Sequence, residues 1–168
     1  MPVLPVPTFK PEYCDPNVDI RKQLEEGVTF FGRKYQAMRY LAYFQSYSNT
    51  YGPVDHLRNL YEEALKHPGV IGLVIATRPD CLGPDVLDLL EELSRKTFLI
   101  VEVGIETFEE ATLLRINRGH SADEARQAIR DLATRKIRHG AHLMLGFPGE
   151  TREQFLNQAR LVNELPVE

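Results

Sequence analysis

Val70-Ile71-Gly72-Leu73-Val74-Ile75-Ala76 is an unbroken apolar run, rich in β-branched residues and far too short for a membrane span. Such a run reads as a strand of a parallel sheet covered on both faces. Before it, Gly52-Pro53 opens an amphipathic helix over residues 54–66. Leu57, Leu60, Tyr61, Ala64 and Leu65 share one face there, and His67-Pro68-Gly69 stops it. After it, Gly83-Pro84 opens a helix over residues 85–95, which leads into a second apolar run at 98–105. Strand, helix and strand in that order, at a repeat of roughly thirty residues, is the signature of a right-handed parallel crossover.

The same alternation extends outward. Toward the N-terminus lies an aromatic-rich strand candidate at 40–46, preceded by an amphipathic segment running to about Tyr35. Ile20, Leu24, Val28 and Phe31 are at helical spacing in it, and Asp15-Pro16 is its expected start. Residues 1–17 carry Pro2, Pro5, Pro7, Pro11 and Pro16 and are expected to be irregular. Toward the C-terminus a helix is expected near 108–116, with a break at Asn117-Arg118-Gly119-His120. Ser121-Ala122-Asp123-Glu124 is a capping box for a helix ending near Arg138. A fourth strand is expected at 141–146, and Thr151-Arg152-Glu153-Gln154 caps a last helix. The pattern predicts an α/β domain over residues 18–168 with a parallel sheet flanked by helices. Four strands are few for a closed barrel, which needs about eight. The sheet is therefore open or part of something larger.

Composition removes several alternatives. A hydrophobic share of 43% and a charged share of 26% are ordinary for a globular domain. A net charge of −4 provides no global basic field for nucleic acid. The apolar start, Met1-Pro2-Val3-Leu4-Pro5-Val6-Pro7, lacks the basic region of a signal peptide, so the chain reads as cytoplasmic with no membrane partner. Cys14 and Cys81 are the two cysteines; far apart in sequence, they form no recognisable metal motif.

Ligands of parallel α/β folds bind at the carboxyl ends of the strands. Alternation there separates Val101, Val103 and Ile105 from Glu102, Gly104 and Glu106. In the fourth strand it separates Leu143, Leu145 and Phe147 from His142, Met144 and Gly146. Gln45, Tyr47 and Asn49 follow the first strand; Thr77, Arg78 and Asp80 follow the second. Carboxylates and a histidine on one sheet face need partners or a ligand, because burying them unpaired costs several kcal/mol. One reading is a ligand site. The other is a structural salt-bridge layer, with Glu102 paired to Arg78 or His142. Gly146-Phe147-Pro148-Gly149-Glu150 is a tight loop whose glycines allow backbone amides to approach a ligand.

Taken together, five segments resemble successive blocks of a radical S-adenosylmethionine (radical SAM) core. They are Tyr43 to Tyr51, Thr77 to Leu82, Glu102 to Thr107, Asn117 to His120 and Leu143 to Thr151. The nearest resemblance is to the uncharacterised Fe–S oxidoreductases related to the elongator catalytic subunit. The resemblance implies a partial (β/α) TIM-like barrel, of which this chain would hold about four to five strands. It also implies SAM across the strand tips and a 4Fe–4S cluster held by a C-x-x-x-C-x-x-C loop. In that chemistry SAM yields a 5′-deoxyadenosyl radical. Carried over by position, Gln45 and Asn49 would contact the methionine end of SAM. Glu106 stands where relatives have a glutamine on the ribose hydroxyls, and a carboxylate accepts from both. Arg118 matches an arginine that reaches the SAM carboxylate or ribose. Gly146, Pro148 and Gly149 would flank the adenine, and Glu102 completes the cofactor side. Thr77, Arg78, Asp80 and His142 are assigned to the substrate side, and the same kinship implies an RNA base as substrate.

The sequence departs from that pattern in two respects. The cysteine loop and its strand are absent, and the last strand region is absent too, so the barrel reads as truncated at both ends. No metal ligands are assigned, the cluster is not expected on this chain, and the chain alone is not expected to cleave SAM. Two other readings stay open. One is a non-catalytic remnant that binds SAM or associates, including with itself, through uncovered sheet edges. The other is an ordinary parallel-barrel enzyme using Glu102, Glu106 and His142 in acid–base chemistry.

Overall fold

The computed structural model describes residues 19–33 and 39–167. The expected irregular segment 1–17, Cys14 and the Asp15-Pro16 helix start lie outside them. Four parallel strands form one sheet in sequential order: β1 (Tyr40–Phe44), β2 (Val70–Thr77), β3 (Phe98–Glu106) and β4 (His139–Leu143). The helices are α1 (Ile20–Gly32), α2 (Val54–Leu65), α3 (Pro84–Lys96), α4 (Glu110–Arg115), α5 (Ala122–Thr134) and α6 (Arg152–Asn163). Among the described residues, no helix is long and apolar enough to cross a membrane.

Register decides which side chains share a face. Ala42, Leu73, Leu99 and Ile75, Val101, His139 form rows across the sheet and are buried. Against them pack α2 through Leu57, Tyr61 and Ala64, α3 through Leu89, Leu90 and Leu93, and α5 through Ala125, Ile129 and Leu132. Burying each Leu or Ile there contributes roughly 1.5–3 kcal/mol. Leu41, Tyr43, Phe98, Glu102, Gly104, Glu106 and His142 take the opposite face, which we call concave. That face is only partly covered: Leu41, Tyr43 and Phe98 are all exposed, and Val74 and Ala76 are half-buried. Here the structure corrects the expectation that 70–76 is covered on both faces. Apolar content fitted either arrangement, and the helices packed on this sheet lie against one face.

Helix ends fix the strand positions. Asp19 caps α1, its carboxylate accepting from Lys22 N at 2.9 Å, four residues beyond the expected start. Both expected capping boxes form, Ser121 with Glu124 and Thr151 with Gln154. The largest correction is β4, which pairs over His139–Leu143 instead of 141–146. After α5 the chain turns through Lys136 at φ 57°, with Ile137 N donating to Leu132 O and Lys136 N to Ala133 O. This pair of bonds is a Schellman cap, and it delivers the chain onto β3 at once: Val101 N donates to Arg138 O at 2.9 Å. The apolar Met144 and Leu145 fall past the strand and are exposed.

Candidate functional site

At the carboxyl end of β3 the pairing with β4 slips by one residue between Gly104 and Glu106. Glu106 adopts φ 68°, in the left-handed region that a non-glycine residue enters at a cost of about 1–3 kcal/mol. Surrounding contacts hold it there. Met144 N donates to Glu106 O at 2.8 Å, and Thr107 N donates to Ile105 O at 2.9 Å. Behind the turn, buried Gln158 of α6 accepts from Phe108 N at 2.8 Å and donates to Thr107 Oγ1 at 3.0 Å.

Arg118 reaches the same place from the end of α4. Arg118 N donates to Leu113 O and Asn117 N to Leu114 O, with Asn117 at φ 52°. This is again a Schellman cap, with asparagine as the residue that tolerates the left-handed position. It turns Arg118 back onto the strand, where Nη2 donates to Gly104 O at 2.7 Å and lies 2.9 Å from Glu106 Oε1. The guanidinium Nε is buried with no hydrogen-bond partner among the described residues. A Cβ on Gly104 would stand 2.7 Å from that Nη2, so the close approach requires glycine. Above the pair opens a cleft of 270 Å³ lined by Arg78, Glu106, Ile116, Asn117, Arg118, Met144 and Phe147. Its size approaches the lower end of the ~300–1,000 Å³ typical of small-molecule sites.

The other sequence-assigned residues are distributed as follows. Arg78 is in the cleft wall, its Nε donating to Asp80 Oδ1 at 3.0 Å and its Nη2 paired with Oδ2. Gly146, Pro148 and Gly149 form the exposed loop whose Phe147 closes the cleft. Gly146 and Gly149 have φ of 98° and 87°, and Glu150 N donates to Phe147 O across the turn. Gln45 is exposed past β1. Asn49 directs its side-chain amide to Phe44 O and Ala76 O, tying the β1 loop to β2. Thr77 turns to the helix-covered face and bonds the hydroxyls of Ser48 and Thr50.

Glu102 has other partners than Glu106 and Arg118. Tyr43 Oη donates to Glu102 Oε2 at 2.5 Å, and His142 Nε2 lies 3.5 Å from the same oxygen. Of the two partners weighed for a salt-bridge layer, His142 is the one in contact, while Arg78 pairs with Asp80. Partial burial, then the hydrogen bond to Glu102, then its negative charge push the Tyr43 hydroxyl up to about 12. Sequence reading did not single out Tyr43. Its signal was positional: it alternates with Ala42 and Phe44, and so shares the face of Glu102.

The sequence profile of the Radical SAM superfamily matches residues 12–162. The chain belongs to the radical SAM superfamily. It is 39% identical over 150 residues to the uncharacterized protein YtqA of Bacillus subtilis, covering 89% of this chain and 44% of that protein. The chain thus spans less than half the length of that relative. In fold, this radical SAM chain is similar to the Elp3 of Methanocaldococcus infernus with an N-terminal deletion, at TM-score 0.65 and 19% identity. That match covers 83% of this chain and 36% of the other. It is also similar to OxsB, a cobalamin-dependent SAM radical enzyme whose structure holds aqua-cobalamin and SAM. There the TM-score is 0.60 and the identity 14%, over 83% and 21% of the two chains. The architecture is that of a partial TIM-like barrel.

The residues present fit the two groups of that superfamily unequally. An adenosyl-type ligand suits the cleft: a carboxylate for hydroxyl donors, an arginine with an unpartnered buried N–H, and a strand floor kept bare by glycine. A 4Fe–4S cluster does not fit. It needs three thiolates, whereas the sequence has two cysteines, of which Cys81 is buried beneath the turn after β2.

Proposed function

We propose that this chain is the SAM-binding part of a radical SAM Fe–S oxidoreductase, with SAM the source of a 5′-deoxyadenosyl radical in the complete enzyme. One observation carries the reading. The half-buried Arg118 guanidinium is fixed to Gly104 O and Glu106 through Nη2 while its buried Nε has no partner among the described residues, beside a cleft of nucleoside scale. A buried unpartnered N–H costs about 1–3 kcal/mol, which a ligand acceptor relieves. Glu106 accepts from the ribose hydroxyls, Arg118 takes a carboxylate or ribose oxygen, and Phe147 and Met144 exclude water from the adenosyl group.

The cysteine count favours a second reading for the chain by itself, a SAM-binding or interaction module without catalysis. Anaerobic iron–sulfide reconstitution separates the two, since deoxyadenosine formation requires the cluster. The shared core of both readings is SAM binding, which calorimetry tests directly. Arg118→Ala is expected to weaken SAM binding by about 1–3 kcal/mol, a factor of roughly 5 to 150. Unchanged affinity would remove Arg118 from the site.

A further inference from the structure

Glu102 is the centre of a second constellation. Its Oε2 accepts from Tyr43 Oη of β1 and lies 3.5 Å from His142 Nε2 of β4, and its Oε1 accepts no hydrogen bond among the described residues. What this cluster turns outward is acceptor capacity. Glu102 offers Oε1. Tyr43, having donated its proton, offers its remaining lone pair. Neutral His142 offers an acceptor ring nitrogen beside them. The space in front is open. The register partners of Glu102 are Ala76 on one side and Gly140 on the other, and the next residue along its own face is Gly104. A Cβ built on Gly140 would meet nothing within 4 Å. The carboxylate thus borders an open space beside Ala76, Gly104 and Gly140, with Ile100 on its other side along the strand and exposed Tyr43 next to it; we call this space the acidic recess.

We propose that Tyr43, Glu102 and His142 form a binding subsite on the concave face for a planar cationic N–H donor, of the amidinium or guanidinium type. The fork of such a group matches a carboxylate edge and places a second N–H toward Tyr43. The subsite adjoins the adenosyl cleft across Gly104, where Arg118 Nη2 and Glu106 Oε1 would stand 2.7 and 3.1 Å from a Cβ, but its partners are its own: Arg118 pairs with Glu106, and Glu102 with Tyr43. In calling this the substrate side, the inference rests on the reading of a radical SAM enzyme; the binding itself does not.

Benzamidine is the probe, titrated into the full chain and followed by NMR of the His142 imidazole and by calorimetry. Saturable binding with shifts at His142 is expected, with benzoate, of the same shape and opposite charge, failing to bind. Glu102→Gln is expected to weaken benzamidine roughly tenfold or more. Gly140→Leu, which fills the recess and leaves every charge in place, is expected to do the same. Arg118→Ala, which removes only a neighbouring positive charge, is expected to leave benzamidine binding no weaker while weakening SAM. Absence of binding, equal binding of benzoate, or indifference to Gly140→Leu would overturn the subsite. Loss of the SAM effect alone would overturn only the adenosyl assignment.

Discussion

Gly104 and Gly72 both lie in strands, and both would meet a neighbour if given a Cβ, but the neighbours differ in kind. At Gly104 the atoms in the way are Arg118 Nη2 at 2.7 Å and Glu106 Oε1 at 3.1 Å, the tips of two flexible side chains. At Gly72 the nearest atom is Phe98 O at 2.3 Å, part of the adjacent strand's backbone. Gly104→Ala is therefore expected to swing Arg118 and Glu106 aside, weakening SAM binding roughly tenfold while changing stability by less than about 1 kcal/mol. Gly72→Ala must move β3 against β2 and is expected to cost about 1–3 kcal/mol or more. Urea denaturation and SAM calorimetry on the two variants check the ranking. Equal destabilisation, or a Gly104→Ala protein with undiminished SAM affinity, would contradict it.

At the scale of elements, α6 acts on the site through one side chain. Gln158, 1% exposed, closes the turn after β3 with two hydrogen bonds, and Thr107 Oγ1 passes the link on to Glu150 Oε1 and Glu109 N. Gln158→Leu keeps the volume and leaves Phe108 N unpaired in the core. A loss of about 1–3 kcal/mol in urea unfolding is expected. The same change at exposed Asn157 is expected to stay within about 0.5 kcal/mol. Equal effects at 157 and 158 would show that the turn does not depend on these bonds. This link also marks what sequence could and could not reveal. β2, β3, α3 and both capping boxes were legible, because each rests on a period or a local motif that a single segment carries. The placement of β4 was not, since its register follows from the left-handed Lys136 and the Arg138 carbonyl, neither of which alters hydrophobic periodicity. The candidate residues Glu106 and Arg118 were legible as types at strand and helix ends. Their convergence on one ligand followed from the resemblance, but their direct ion pair did not, because it depends on a strand slip at Ile105 and on Asn117 entering the left-handed region. Thr77 read as a strand-tip polar residue, but counting its face required the β2–β3 register that sets it opposite Val103.

Across the whole molecule, two tyrosines on opposite sides of the sheet hold their protons beyond the usual range. Tyr43, on the concave face, is pushed up to about 12 by partial burial and by Glu102. Tyr61 of α2, buried in the helical layer with its hydroxyl donating to Asn49 O at 2.5 Å, is raised by burial. An unfolded chain releases both protons near pH 10. Between pH 10 and 12 the unfolded state therefore binds fewer protons than the native state, and stability falls as pH rises. The contribution is fully present below pH 10 and is lost as pH climbs through the folded values. Thermal unfolding is expected to show little tyrosine-linked change up to pH 10 and a decline above it. Tyrosinate absorbance isolates the concave-face member: the native protein minus Tyr43→Phe leaves one titration, expected near pH 12 in the folded state. A difference curve centred at pH 10 would mean that Tyr43 Oη faces water without Glu102. It would then remove the contact joining β1 to β3 across the open face, and with it one side of the acidic recess.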